Sequence, residues 1–226
     1  MAVISDVHLA SVQPFLALCE EQRVDRIVCL GDVERPDLLE GFLHCGVPLT
    51  YAVGNHEYDL IRLAAMDEWY DPRHRRARAF VESAGAVDKD EQAGLQVAFR
   101  FAGKHVLAVH TWPGDLENPW TCWRAKTIYR LWKIIEDPQD ALCLLDYMRE
   151  NDYWLVLRGH EHGRSIRQQA RAGVRALHRW VPESGQSIEL QHGTRYIITV
   201  GAYEHGELAI LDETDGRVQI SFVTIA

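Results

Sequence analysis

Residues 2–8 read AVISDVH, a short apolar run that breaks off in Ser5-Asp6-Val7-His8. Such a run, too short for a helix, reads as a buried strand. The Asp and His at its end need partners wherever they are buried. The same pattern returns as RIVCLGD at 26–32, LTYAVGNHE at 49–57, VLAVH at 106–110 and WLVLRGHEH at 154–162. The predicted strands are residues 2–5, 26–30, 49–53, 106–109 and 154–157. Each ends at its carboxyl side in a residue able to bind a metal: Asp6 and His8, Asp32, Asn55 and His56, His110, and His160 and His162. Gly31, Gly54 and Gly159 stand directly before three of these ends, where a chain must turn sharply or approach another backbone closely.

Between the first three strands, residues 14–22 and 36–45 carry helical patterns, each opened by a proline, and Gly46 can close the second. Strand and helix in alternation predict an α/β fold with a largely parallel sheet covered on both faces. In such sheets the site lies at the carboxyl edge, so distant segments can meet in one crevice. Further along, residues 95–101 alternate and turn through Gly103 and Lys104 into the next strand. Helices are predicted at 123–134 and 137–149, and strands at 187–190, 195–200, 207–211 and 218–224, the last two joined by an Asp215-Gly216 turn.

Length and composition agree with one core. With 226 residues and 47% hydrophobic content, the chain reads as a single domain spanning 1–226. Lys and Arg total 24 against 33 Asp and Glu, and a net charge of -9 argues against strong nucleic-acid binding. Five scattered cysteines without C-x-x-C spacing argue against a disulfide framework or zinc ribbon, and fit a reducing compartment. Residues 1–5 lack a signal-peptide pattern, and no window approaches a membrane span, so the expected location is cytoplasmic and off the membrane.

The donor types specify the chemistry further. Two divalent cations held close together require a bridging carboxylate, a role that suits Asp32, with Asp6, the Asn55 amide oxygen and the imidazoles of His8, His110, His160 and His162 as the other donors. Such a set leaves residual positive charge, which draws in a phosphate and acidifies a bound water. Mixed nitrogen and oxygen donors accept manganese, iron, zinc, nickel or cobalt, with manganese expected to support activity in vitro.

Taken in order, SDVH at 5–8, GD at 31–32, GNHE at 54–57, Val109-His110 and GHEH at 159–162 resemble the motif set of the calcineurin-like metallophosphoesterases, in particular the small single-domain bacterial and archaeal phosphodiesterase branch. The resemblance implies a four-layer α/β/β/α sandwich of the metallo-dependent phosphatase type. It implies Asp6, His8, Asp32 and His162 around one metal, and Asp32, Asn55, His110 and His160 around the other. It further implies that a metal-bound hydroxide attacks the phosphorus while His56 acts as general acid. The expected substrate is a small phosphate ester, a diester first, with a nucleotide or dinucleotide-polyphosphate hydrolase and a phosphomonoesterase or protein phosphatase as alternatives. A non-catalytic interaction scaffold is the remaining alternative, opposed by an intact motif set.

The chain also departs from the pattern. The family's late Asn-Pro-Gly-Ser-like turn is matched only by residues 199–202 (TVGA), Glu57 stands where Asp is commoner, and His110 is followed by Thr111 and Trp112 instead of glycine. Trp112, Trp120, Trp123 and Trp132 suggest that residues 112–150 form an aromatic cap over the site or a contact between copies in a homo-oligomer. Trp112 and Arg124, with Lys126, are the substrate-contact candidates, and Arg73, Arg75, Arg76 and Arg78 form a second candidate phosphate clamp.

Overall fold

The computed structural model describes residues 1–57, 93–94, 96–113, 135 and 137–225. Strands β1 (Ala2–Ile4), β2 (Ile27–Cys29), β3 (Leu49–Ala52) and β4 (Ala93–Gly94) run parallel, with Ala2 opposite Ile27 and Ile27 opposite Leu49. Helices α1 (Gln13–Glu21) and α2 (Pro36–Leu43) connect the first three strands. A proline in the first turn of each occupies a position where the N–H has no helical partner.

The two sheets that the expected sandwich requires form as this parallel core is extended by the remaining strands. These are β5 (Gln96–Phe101), β6 (Lys104–Val109), β7 (Tyr153–Arg158), β8 (Arg164–Gln169), β9 (Leu177–Trp180), β10 (Ser187–Leu190), β11 (Tyr196–Val200), β12 (Glu207–Thr214) and β13 (Arg217–Thr224). They build two mixed sheets, ordered β10-β13-β12-β1-β2-β3-β4 and β5-β6-β7-β11-β8-β9. Strand β12 lies antiparallel on the free edge of β1, and β6, β7 and β11 form a second parallel core.

Side-chain alternation explains why two sheets form. In β1 and β2, Val3 and Val28 point to one face while Ala2, Ile4, Ile27 and Cys29 point to the other. The first face meets Val106, Ala108, Leu155, Leu157 and Ile198 of the second sheet. The other face meets Phe15 of α1 and Leu39 and Phe42 of α2. On the far side, Leu107, Val109, Val156 and Ile197 pack against Leu144 and Met148 of α3 (Pro138–Glu150). The result is the four-layer α/β/β/α sandwich. Helix α3 is itself well delimited, since the Asp137 side chain accepts from the Gln139 N–H at 2.8 Å and Pro138 follows in the first turn.

Several expectations hold to within a few residues, among them both parallel-sheet helices, α3 and the Asp215-Gly216 turn between β12 and β13. The β5–β6 turn falls on Ala102 and Gly103, both left-handed, and Lys104 already belongs to the strand. Strands β8 and β9 escape the sequence reading, because β8 buries Arg164, Ser165, Arg167 and Gln169 and shows no apolar alternation. The predicted helix at 123–134, the arginine run at 73–78, Arg124, Lys126 and Trp120, Trp123 and Trp132 lie outside the described residues. Among the described residues, no helix is long and apolar enough to cross a membrane.

Candidate metal centre

Asp6 follows β1, Asp32 follows β2, Asn55 follows β3, His110 follows β6 and His160 follows β7. Their strands belong to both sheets, so the crevice lies between two facing carboxyl edges and not along one. The edges are tied directly. The Asp6 N–H donates to Gly31 O at 3.0 Å, the His8 N–H donates to Asp32 O, and the His160 N–H crosses to the Asp6 carboxylate at 2.9 Å. A Cβ on Gly159 would stand 1.5 Å from Ser5 Oγ, so only glycine lets the two sheets close here.

Asp6, His8, Asp32, His160 and His162 all adopt left-handed φ, between 46° and 68°. Asp and His tolerate this region better than most residues, but it is still costly, and such strain concentrates at functional sites. Here it turns successive donors into one space.

The ring nitrogens are sorted by their partners. Two rings are oriented by hydrogen bonds, His8 Nδ1 donating to Glu34 Oε1 at 2.8 Å and His110 Nδ1 to Leu30 O at 2.5 Å, which turns Nε2 of each to the crevice in the manner of metal-binding histidines. His56 Nδ1 lies 2.9 Å from Glu34 Oε1 and His162 Nδ1 lies 2.9 Å from Glu204 Oε1. His8 Nε2 faces His162 Nε2 at 3.4 Å, and His162 Nε2 lies 3.3 Å from Asp6 Oδ1. On the other side, His110 Nε2 lies 3.2 Å from Asp32 Oδ2 and 3.0 Å from Asn55 Oδ1. His8 Nε2, His162 Nε2 and Asp6 Oδ1 thus converge within hydrogen-bonding reach of one another, and nitrogen and carboxylate donors gathered this closely fit a divalent metal ion.

Three groups of donor atoms lie within 4.8 Å of one another: Asp6, His8 and His162; His8, Asp32 and His56; and Asp32, His110 and His160. Asp6 and Asp32 are buried, yet both carboxyls sit below the usual range: burial opposes ionisation, but His162, His110 and Ser5 together outweigh it for Asp6, and His110 with His56 for Asp32. His110 is raised to about 9, Asp32 overcoming the effect of burial, and His160 is lowered to about 4 by burial and by His110.

Two carboxylates, Glu34 and Glu204, escaped the sequence reading of the site, and a third, Glu57 of the GNHE motif, was given no role there. Glu57 accepts from the N–H groups of Asp32 (2.9 Å), Val33 (2.6 Å) and Gly54 (3.0 Å) and from the Tyr51 hydroxyl (2.5 Å), bracing two ligand loops at once. Burial and the neighbouring Asp32 charge push it up to about 7. Glu34, two residues after Asp32, orients His8 and His56; its place beside the GD motif was its only signal. Glu204 comes from the 3-10 turn Tyr203–His205, far along the chain from any motif.

His56 is 39% exposed at the mouth of the crevice, its N–H donating to Asp32 Oδ1 at 3.1 Å. Trp112, a substrate-contact candidate of the sequence, is 6% exposed and packs with Ile135, Ala141, Leu144 and Met148 beneath α3. Likewise α3, the described end of the expected cap, covers the outer face of the second sheet.

Acidic and imidazole donors converging from strand ends of two facing sheets define the class: a metal-dependent phosphoesterase. Residues 1–206 match the calcineurin-like phosphoesterase superfamily domain, and the chain belongs to that family. Among solved structures, it is similar to a metallophosphoesterase from Sphaerobacter thermophilus, at 22% identity and TM-score 0.64, over 100% of this chain and 88% of that one. It also resembles an archaeal phosphodiesterase (11% identity, TM-score 0.51, 98% of each chain) and Vps29 from Chaetomium thermophilum (10%, 0.50, 94% of this chain and 80% of that). Identities this low speak for the fold alone. No curated protein matches the chain.

Proposed function

We propose that the chain hydrolyses phosphodiesters with two divalent cations, one held by Asp6, His8, Asp32 and His162 and the other by Asp32, Asn55, His110 and His160. The observation that carries this reading is the pair of donor groups, Asp6-His8-His162 and Asp32-His110-His160, linked through the group His8-Asp32-His56. Asp32, the carboxylate common to two of these groups, would serve both cations. The likeness to the archaeal phosphodiesterase supports the diester. When bound, the cations neutralise phosphoryl oxygens and acidify a water at neutral pH. The chain supplies the rest: Glu34 and Glu204 fix the histidine rings, and the paired sheet edges hold the ester in line. His56, its Nδ1 2.9 Å from Glu34 Oε1, would act as the imidazolium, giving the Nε2 proton to the leaving oxygen and ending as the neutral ring. Manganese is the expected metal in vitro, and the expected location is the cytoplasm.

The test is turnover of a chromogenic aryl diester and the matching monoester by metal-stripped protein refilled with manganese, with metal content measured in parallel. Metal-dependent diester cleavage is expected, abolished in Asp32→Ala together with metal uptake. His56→Gln should retain metal and lose about 10²- to 10⁴-fold in turnover. Full activity in Asp32→Ala, or an unchanged rate in His56→Gln, would overturn the corresponding role.

A further inference from the structure

The sequence reading gave the metal centre a residual positive charge, and the structure shows what stands against it. Two dications with Asp6 and Asp32 leave a formal charge of +2. Glu34 and Glu204 flank the histidines of the same crevice with two more carboxylates, which brings the sum to zero. Glu57 is buried behind them and satisfied by four donors.

Glu34 and Glu204 are both about one-third exposed, Glu34 beside His56 and Glu204 on the His162 side. Glu204 Oε1 lies 2.9 Å from His162 Nδ1 and 3.8 Å from His8 Nε2, and its side chain is 33% exposed. It is also firmly placed. The Tyr203 N–H donates to Ser5 O at 2.8 Å, the Glu204 N–H donates to Asp6 O at 3.2 Å, and the Tyr203 hydroxyl donates to Ser11 O at 2.7 Å, so the 3-10 turn is fastened along the loop that carries Asp6 and His8. His205 Nε2, 3.8 Å away, is the other group facing this carboxylate. Orienting His162 would need only an acceptor, which an amide or carbonyl oxygen could also provide. A charged acceptor at this rim adds repulsion toward an incoming anion.

We propose that Glu204 is a specificity-determining residue that disfavours doubly charged phosphate groups, so that the centre takes singly charged phosphodiesters in preference to monoesters. The proposal rests on the two-metal reading above. Discrimination here comes from a repulsive element, since a dianion meets the carboxylate with one more unit of charge than a diester does. At the edge of a half-exposed site, that extra charge is disfavoured about tenfold.

The experiment compares Glu204→Gln with Glu204→Asp in metal-refilled protein. Calorimetry measures binding of inorganic phosphate and of dimethyl phosphate at a pH where the first is a dianion, and monoester and diester kcat/KM are measured beside it. In Glu204→Gln, which keeps the acceptor for His162, the affinity ratio of phosphate to dimethyl phosphate should rise about tenfold, and the monoester to diester kcat/KM ratio should follow. Glu204→Asp keeps the charge and should keep the wild-type ratios. Equal weakening of both anions in Glu204→Gln, loss of a metal from it, or the same shift in Glu204→Asp would each overturn the charge proposal while leaving the phosphodiesterase reading standing. Wild-type protein that takes up no metal and cleaves neither ester would overturn both.

Discussion

Asp32 and His110 show at the residue scale how the crevice is made ready for a cation. In the metal-free chain Asp32 raises His110 to about 9, so its ring is protonated at neutral pH and donates from Nε2 to Asp32 Oδ2. A metal binding at that nitrogen must displace the proton. Metal affinity should therefore climb as pH rises toward 9 and level off above it, with about one proton released per chain from this site at pH 7. Metal titration in buffers of different ionisation enthalpy reads that proton directly, and affinity that stays flat between pH 6 and pH 9 would contradict it. His160, lowered to about 4, should contribute no such release. The residues of this scale were legible in the sequence because each ligand sits beside a strand end. Their orienting carboxylates were not, since Glu34 and Glu204 gain meaning only from where the histidine rings point.

At the scale of elements, the turn after β7 depends on a buried charge network. Arg158, at the end of β7, donates through Nε to Thr111 O at 2.7 Å and through a terminal nitrogen to Glu161 Oε1 at 2.5 Å, while Glu161 also accepts from the Ile135 N–H at 2.9 Å. Arg167 of β8 donates to Ile135 O at 2.7 Å. The network joins the loop after β6 to the GHEH turn, and so sets His110 relative to His160 and His162. Arg158→Met should cost about 3 kcal/mol by removing the nearest cation from buried Glu161, which keeps only the Ile135 N–H and Arg167 at 3.9 Å. Thermal unfolding should show a fall of roughly 10 °C. Despite burial, Arg158 holds the Glu161 carboxyl below its ordinary range. The pair therefore stabilises the fold above the ordinary carboxylate range, and that stability is lost as pH falls through the lowered pKa. Acid sensitivity in that range should be weaker in Arg158→Met. Glu57→Ala, which strands the N–H groups of Asp32, Val33 and Gly54, should be destabilised at least as strongly, judged by urea midpoint.

For the whole molecule, a bound cation would act as a staple between sheets that already meet through apolar packing and through the bonds of His160 N–H to Asp6 and His110 Nδ1 to Leu30 O. Asp6, His8, Asp32 and Asn55 come from the first sheet, and His110, His160 and His162 from the second. A cation bound between them should stabilise the folded chain by about 2.7 kcal/mol at a hundredfold excess over Kd. The melting temperature should rise with manganese and fall with a chelator in the wild type, and lose that dependence in Asp32→Ala. Gly159→Ala, which drives a Cβ into Ser5 where the sheets close, should lower stability by about 1–3 kcal/mol with or without metal.

The sequence by itself determined which residues gather, because period-two apolar runs set the strands and each run broke off at a donor. It also carried the family, through five motifs in order. The motif set implied two sheets, but only the tertiary structure decided which strand lies in which, because alternation tells a residue which face it takes but not which sheet will meet that face. It likewise placed β8, whose buried arginines and glutamine are matched by partners distant in the chain, and Glu204, which reaches the centre on a turn fastened to β1 by backbone bonds that leave no trace in residue type.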